Sequence, residues 1–325
     1  MKKTNARWLL VAAVFIVVAA ALPAGGSSEG DDDTITIAVI PKAMDNPVFL
    51  DTRAGAEKAA EELGIELIWT ASLKSDAAEQ VQVIEGLIQR GVDGMLISAN
   101  DPTALNDVIA KARSEGIAVA TFDSDAPESG RDFFVGIDNY EVGKLGGQEY
   151  AKLAADMGGT VQTALLTGIL GAYNLEERIR GFRDGVAGTN VEIVSIQTCE
   201  DDINKAVQVI DDYTSANPNL DGWFFVGGWP FFAPPESLGT LQEFVDDGGL
   251  VVSIDNFWPM LDFIESGMTP LLIGYSFYDM GYEGVYSLVD LANGESVPEM
   301  IILDASNSLT TMENIDEIRE TKLPW

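Results

Sequence analysis

From Thr34 onward, short apolar runs rich in β-branched residues alternate with segments whose apolar positions recur at helical spacing. Residues 35–40 form the first apolar run. A loop follows, and then an Ala/Glu-rich stretch over about 48–63 predicts a helix that Gly64 ends, with 65–69 starting the next strand. Repeated along the chain, this strand–helix alternation predicts parallel sheets covered on both faces.

The pattern occurs twice. Ala38 has a counterpart in Ala164, Gly55 in Gly181, and Glu66-Leu67 in Glu192-Ile193; Val81-Gln82-Val83-Ile84 recurs unchanged at Val207-Gln208-Val209-Ile210, all 126 residues on. The offset grows to 128 at Asp93-Gly94 and Asp221-Gly222 and to 132 at Asp123 and Asp255. An offset that drifts only at loops predicts two similar α/β domains. Open parallel sheets bind ligands beyond the carboxyl ends of their strands. If two such ends face each other, candidate loops come in pairs: 42–49 with 168–176, 71–76 with 198–202, 98–102 with 227–231, and 123–125 with 255–258.

Composition removes several chemistries. With 325 residues, 46% of them hydrophobic, two domains are the natural expectation. No histidine is present, so histidine triads, histidine bases and histidine–zinc sites are excluded. The single cysteine, Cys199, has no partner for an internal disulfide and reads as a packing residue rather than a nucleophile. No P-loop is present, Gly143-Lys144-Leu145-Gly146-Gly147 reads as helix packing, and Asp31-Asp32-Asp33 and Glu200-Asp201-Asp202 lack EF-hand spacing. No metal site, cofactor or catalytic residue is expected.

Residues 1–26 look like a cleaved export signal: Lys2, Lys3 and Arg7, an apolar run of 15 residues from Trp8 to Leu22, and Ala24-Gly25-Gly26 as a small-x-small site. No cysteine follows for lipidation, which predicts a free periplasmic protein; an uncleaved anchor is the alternative. Residues 27–33 read as a flexible leader. Without the leader's three basic residues, the 19 Lys+Arg become 16 against 52 Asp+Glu, and the net charge goes from −33 to −36. That surface repels nucleic acid. It suits a protein kept solvated in high salt, or one that attracts a cationic solute.

The paired loops carry polar groups and aromatics. Asn46 precedes Pro47 and offers donor and acceptor to a hydroxyl, or caps a helix. Lys42 is a ligand donor or a solvated cation. Asp123 and Asp255 each end an apolar strand, each followed by a small or polar residue (Ser124, Asn256) rather than a cation. Carboxylates there can accept hydroxyl hydrogen bonds in fixed directions; helix capping is the plain alternative, and paired acid–base action on a glycoside the enzymatic one. Phe49, Trp229 and Tyr275 can pack against the apolar face of a sugar. Arg178 can donate a fork of bonds to a ligand or brace its acidic neighbours.

These residues resemble a known family. Ile40-Pro41-Lys42 with Asn46-Pro47 and Phe49, Thr121-Phe122-Asp123-Ser124-Asp125, the run from Asn174 through Arg178 to Phe182, and Asp255 resemble the ribose/galactose group of type I periplasmic binding proteins, which serve ABC importers and are related to the effector lobes of LacI-type repressors. The resemblance covers about 34–303. It implies two similar Rossmann-like lobes with parallel sheets, joined by three crossover strands near 136–139, 275–277 and 301–304. The N-terminal lobe would then comprise 34–136 with 276–303, and the C-terminal lobe 137–275 with 304–325. It implies that Lys42, Asn46, Phe49, Asp123, Asn174, Asp255 and Tyr275 face the ligand, joined on the residue reading by Ser124, Arg178 and Trp229. It also implies a non-enzymatic, monomeric protein that delivers a sugar or polyol to a membrane permease. A sensor lobe for a chemoreceptor or kinase is the runner-up. Ribose binders carry Arg where this chain has Ser124, Asn-Asp where it has Gly228-Trp229, and Gln where it has Tyr275. These departures favour a less polar sugar, such as a deoxy sugar, or a polyol. Lys42 and Asp123 also resemble positions in binders of the furanosyl autoinducer, whose second-lobe Pro-Asp-Ala pattern is missing here. A repressor is not expected, because no helix-turn-helix precedes Thr34.

Overall fold

Strand β1 (Thr36–Ile40) shows why the chain builds layers. Ile37 and Val39 pack into one apolar cluster and Ala38 and Ile40 into another, so both faces of the strand are covered. The computed structural model describes residues 34–304 and 309–324, so the expected signal segment and leader lie outside the described residues. After β1 come α1 (Phe49–Leu63), β2 (Glu66–Trp69), α2 (Ala77–Arg90), β3 (Gly94–Ile97), α3 (Asn106–Ser114), β4 (Ala118–Phe122) and β5 (Phe133–Gly136). The chain then leaves the first sheet and runs through α4 (Asn139–Ala155), β6 (Val161–Thr167), α5 (Tyr173–Gly185), β7 (Val191–Thr198), α6 (Ile203–Ala216), β8 (Gly222–Phe225), α7 (Gly239–Asp246), β9 (Leu250–Ile254), α8 (Leu261–Glu265) and β10 (Leu272–Ile273). It returns for α9 (Phe277–Ala292) and β11 (Met300–Ile302), and ends in β12 (Leu309–Thr310) and α10 (Ile315–Glu320).

Two six-stranded sheets result, with orders β11-β5-β4-β3-β1-β2 and β12-β10-β9-β8-β6-β7. The first is parallel throughout; in the second, β12 is antiparallel to β10. The sequence repeat is a structural repeat in register: Ile37 pairs with Gly94 as Thr163 pairs with Gly222, and Gly94 with Ala118 as Gly222 with Leu250. Ala38 and Ala164 lie in the equivalent strands β1 and β6. The fold is the expected pair of similar parallel-sheet α/β lobes, and the chain passes between them three times, after β5, after β10 and after β11.

Small devices are duplicated as well. Asp76 caps α2 by accepting from the Glu79 N–H, and Asp202, 126 residues on, caps α6 by accepting from the Lys205 N–H. Asp93 accepts from the Thr36 N–H at 2.7 Å, and Asp221 from the Gln162 N–H at 2.8 Å. A Cβ on Gly55 would come within 2.0 Å of the Tyr278 carbonyl oxygen, and one on Gly181 within 2.0 Å of the Tyr140 carbonyl oxygen. Glycine there lets α1 lie against α9, and α5 against α4, at backbone contact. Gly143 and Gly147 serve the same α4–α5 contact, and Cys199 is fully buried. These helix pairs fix the starts of α1, α4, α5 and α9, and these starts, together with the strand ends, meet between the lobes.

Candidate functional site

The two strand-end aspartates are held alike. Asp123 follows β4 with φ 56°, and Asp255 follows β9 with φ 81°. Their backbone N–H groups donate to the neighbouring strand, Asp123 to Val135 at 3.3 Å and Asp255 to Ile273 at 2.7 Å. Left-handed backbone is unusual for a residue with a Cβ, and aspartate tolerates it better than most. Among the described residues four non-glycines have positive φ, and three of them, Asp123, Asp201 and Asp255, line one cavity between the lobes. Backbone strain gathers at one place, which is where binding sites tend to store it.

From the first lobe Lys42, Asn46, Phe49 and Asp123 face this cavity; from the second come Asn174, Arg178, Trp229 and Asp255. The sequence reading thus placed eight of its ten residues on the wall. A chain of hydrogen bonds crosses between the lobes. Lys42 Nζ donates to Asn174 Oδ1 at 3.0 Å, and Asn174 Nδ2 donates to Asp123 Oδ1 at 3.1 Å. Asp123 Oδ2 accepts from Ser98 Oγ at 3.0 Å, and Arg178 Nη2 stands 3.7 Å from Asp123 Oδ1.

Arg178 is 3% exposed and each of its three side-chain nitrogens has a partner. Nε donates to Asn139 Oδ1 at 2.8 Å, Nη1 to the Val226 carbonyl at 3.1 Å, and Nη2 to the Tyr275 hydroxyl, whose ring also lies beneath the cation at 5.3 Å. Burial works against its charge, but Tyr275, Asp255 and Asp123 outweigh that and hold its pKa above the ordinary value. Tyr275 itself lies behind Arg178 rather than on the wall, and burial pushes its hydroxyl well above the usual range.

Asp255 is bonded on one side only. Oδ2 accepts from the Gly228 N–H at 2.8 Å, while Oδ1 is buried and meets no donor. The Tyr275 hydroxyl, which accepts from Arg178, also stands beside the Asp255 carboxylate and opposes the rise in its pKa. Burial raises the Asp255 pKa, opposed by Arg178 and the Gly228 N–H. Trp229 sits in a short 3-10 turn, and its ring lies over two glycines: a Cβ on Gly168 or Gly227 would come within 2.7 or 2.8 Å of it. Phe49 packs edge-on between Phe122 and Phe277, 5.9 and 6.2 Å away, and Phe277 stacks on Tyr275 at 5.1 Å. One aromatic row therefore backs the cavity from β4 to the second crossing.

Ser124 is not brought to the wall. The left-handed turn at Asp123 points the carboxylate into the cavity and folds the next residue back: the Ser124 N–H donates to Phe122 at 2.5 Å and its carbonyl accepts from Ala99 at 2.9 Å. In exchange the structure contributes Asp201, absent from the sequence-based set. It follows β7, and Oδ2 accepts from Ser75 Oγ of the other lobe at 3.0 Å. Ser75 and Asp201 are 126 residues apart, so this is contact between equivalent loops, and the repeat offset was the signal that could have found it. Burial raises the Asp201 pKa, opposed chiefly by Lys42. Beside it Lys74 Nζ pairs with Asp202 at 2.8 Å, closing the lip between the lobes. The cavity volume is about 30 Å³, room for a water or two and less than a monosaccharide fills.

A family model described as a periplasmic binding protein domain matches residues 37–296. The ribose import binding protein of Haemophilus influenzae is 27% identical over 274 residues, 84% of this chain and 90% of that protein. Its Bacillus subtilis counterpart is 28% identical over 195 residues, 60% of this chain, and the match spans only 62% of that protein's length. Among solved structures, an ABC transporter solute-binding protein from Burkholderia graminis, in complex with D-arabinose, has a TM-score of 0.79 and 32% identity, covering 86% of this chain and 96% of that one. A carbohydrate transporter solute-binding protein from Agrobacterium radiobacter shares the fold at a TM-score of 0.82 with 23% identity, over 90% of this chain and all of that one.

Proposed function

The chain belongs to the periplasmic binding protein family, and we propose that it captures a monosaccharide or polyol between its lobes for an ABC permease. The observation that carries this reading is the pair of equivalent strand-end carboxylates, Asp123 and Asp255, facing one interlobe cavity from opposite lobes. A ligand that hydrogen-bonds to both is complementary only to the closed arrangement, so it shifts the lobes toward closure by its differential affinity for that state. The permease then reads closure rather than the ligand. The D-arabinose ligand of the 32% identical neighbour supports a ring of pentose or hexose size.

Polar groups at the wall suit hydroxyls in both senses. Asp123, Asp255 and Asp201 accept; Lys42, Arg178 and Asn174 donate. Trp229 and Phe49 supply apolar faces for ring carbons. Arg178 stands 3.7 Å from Asp123 and opposes the burial that raises the Asp255 pKa, an arrangement that fits fixed acceptors better than an acid–base pair acting on a glycoside. Export through the leader and life as a free monomer in the periplasm complete the reading.

A thermal-shift screen over pentoses, hexoses, deoxy sugars, polyols and amino acids tests it. At a concentration a hundredfold above Kd, ligand should stabilise the fold by about 2.7 kcal/mol, a shift of a few degrees. A response to amino acids alone, with none to sugars or polyols, would overturn the reading.

A further inference from the structure

We propose that the preferred ligand is a polyhydroxylated amine, an amino sugar or amino polyol, whose ammonium is received at Asp255 because Asp201 leaves the cavity one negative charge in surplus. The inference rests on the solute-binding reading above and narrows its ligand class.

Five charged side chains line the cavity: the carboxylates of Asp123, Asp201 and Asp255, against the cations of Lys42 and Arg178. Lys42 faces Asn174 and Asp201, and Arg178 stands among Asp123, Asp255 and Tyr275. Lys322 of the C-terminal segment, which is not on the wall, also acts on Asp255, and Asp51 and Asp279 act on Lys322. A surplus charge in an enclosed, poorly solvated space is costly until a counter-charge joins it. Among the described residues no group of three or more acidic, histidine or cysteine side chains could hold a metal ion.

An independent observation locates where the counter-charge goes. Asp255 is 5% exposed and lines the cavity, and its Oδ1 meets no donor. The surrounding wall is aromatic, with Trp229, Phe277 and Phe49 on the same cavity. A carboxylate oxygen lacking a donor beside aromatic faces is a receptor for a compact cation with several N–H groups. A neutral hydroxyl can satisfy Oδ1 but leaves the surplus in place; an ammonium does both. Burial raises the pKa of both Asp201 and Asp255, opposed first by Lys42 and by Arg178 respectively, and a cation at Asp255 would oppose it further.

Calorimetry at one fixed salt concentration, with matched pairs, tests this: D-galactosamine against D-galactose, D-glucosamine against D-glucose, 1-amino-1-deoxyribitol against ribitol. In the pairs that bind, the amine should bind at least tenfold tighter, N-acetylation of the same amine should remove the advantage, and Asp201→Asn should bring the amine-to-neutral ratio close to one. Neutral members that bind as tightly as the amines overturn the inference and leave the sugar-binding reading standing. An N-acetyl derivative as tight as its amine, or an unchanged ratio in Asp201→Asn, also overturns it. Binding of no member of any pair overturns the inference, and the thermal-shift screen then decides the sugar-binding reading separately.

Discussion

The first lobe's Asp123 and the second lobe's Asp255 occupy the same place in the same fold, yet their surroundings differ. Both end a strand with left-handed backbone, and both bond through the main chain to the next strand. Asp123 has donors on both oxygens, from Ser98 in its own lobe and Asn174 in the other, with Arg178 beside it. Asp255 has one donor and one oxygen without any. Duplication supplied two identical sockets. The first has become part of the contact that joins the lobes, and the second is kept short of donors, which is the condition for a ligand to supply one.

The largest expected effect comes from removing the group that serves both sockets. Arg178→Met should destabilise the protein by about 3–5 kcal/mol, because two buried carboxylates lose their cation, and should abolish ligand binding. Denaturant titration and calorimetry on the same preparation measure both; a loss of binding with no loss of stability would separate Arg178 from the charge balance described here. Next are the helix contacts that hold each lobe together. Gly55→Ala and Gly181→Ala should each cost about 1–3 kcal/mol through overpacking, and by similar amounts, since each Cβ meets a carbonyl oxygen at the same distance. Unequal losses would break the equivalence of the lobes.

A smaller effect carries a definite sign. Asp255 has a folded-state pKa raised by burial above the ordinary carboxylate value of 3.8. The folded protein therefore binds this proton more tightly than the unfolded chain does. The group lowers stability as pH rises from that ordinary value through the folded one, and the penalty is complete above it. Asp255→Asn should accordingly melt higher than the parent at neutral pH, with the gain vanishing toward pH 3, while its ligand affinity falls. Melting curves across that range check it; a variant less stable at neutral pH would show that the charge is already compensated. The smallest and least local effect is that of salt. With 52 acidic residues and a net charge of −33 over the full chain, dilute buffer leaves repulsion unscreened, and the melting temperature should fall as salt is lowered from molar to millimolar. Equal melting temperatures would contradict this.

Much of this was legible in the sequence because duplication made it redundant. The tetrapeptides at 81–84 and 207–210 lie on α2 and α6, and the drift from 126 to 132 residues correctly aligned Asp123 with Asp255. Side-chain direction was not legible. Ser124 follows the left-handed Asp123 and is folded back from the wall, whereas Asp201 is itself left-handed, after the left-handed Glu200, and reaches the wall from a run that carried no metal-binding spacing. The bond from Lys42 to Asn174 was illegible for another reason. It depends on the angle between the lobes, and no local pattern encodes that angle. Trp229 was read as a sugar platform, and the glycines that let its ring lie flat, Gly168 and Gly227, gave no signal of their own.

The central claim is that two equivalent strand ends grip one ligand from opposite lobes. Isothermal calorimetry of Asp123→Ala and Asp255→Ala, with the best ligand from the screen, tests it most directly. Losing charge-assisted bonds worth about 1.5–3 kcal/mol should weaken binding at least about tenfold in each variant. Affinity unchanged in either one would mean that the ligand is held by a single lobe, and would contradict the account.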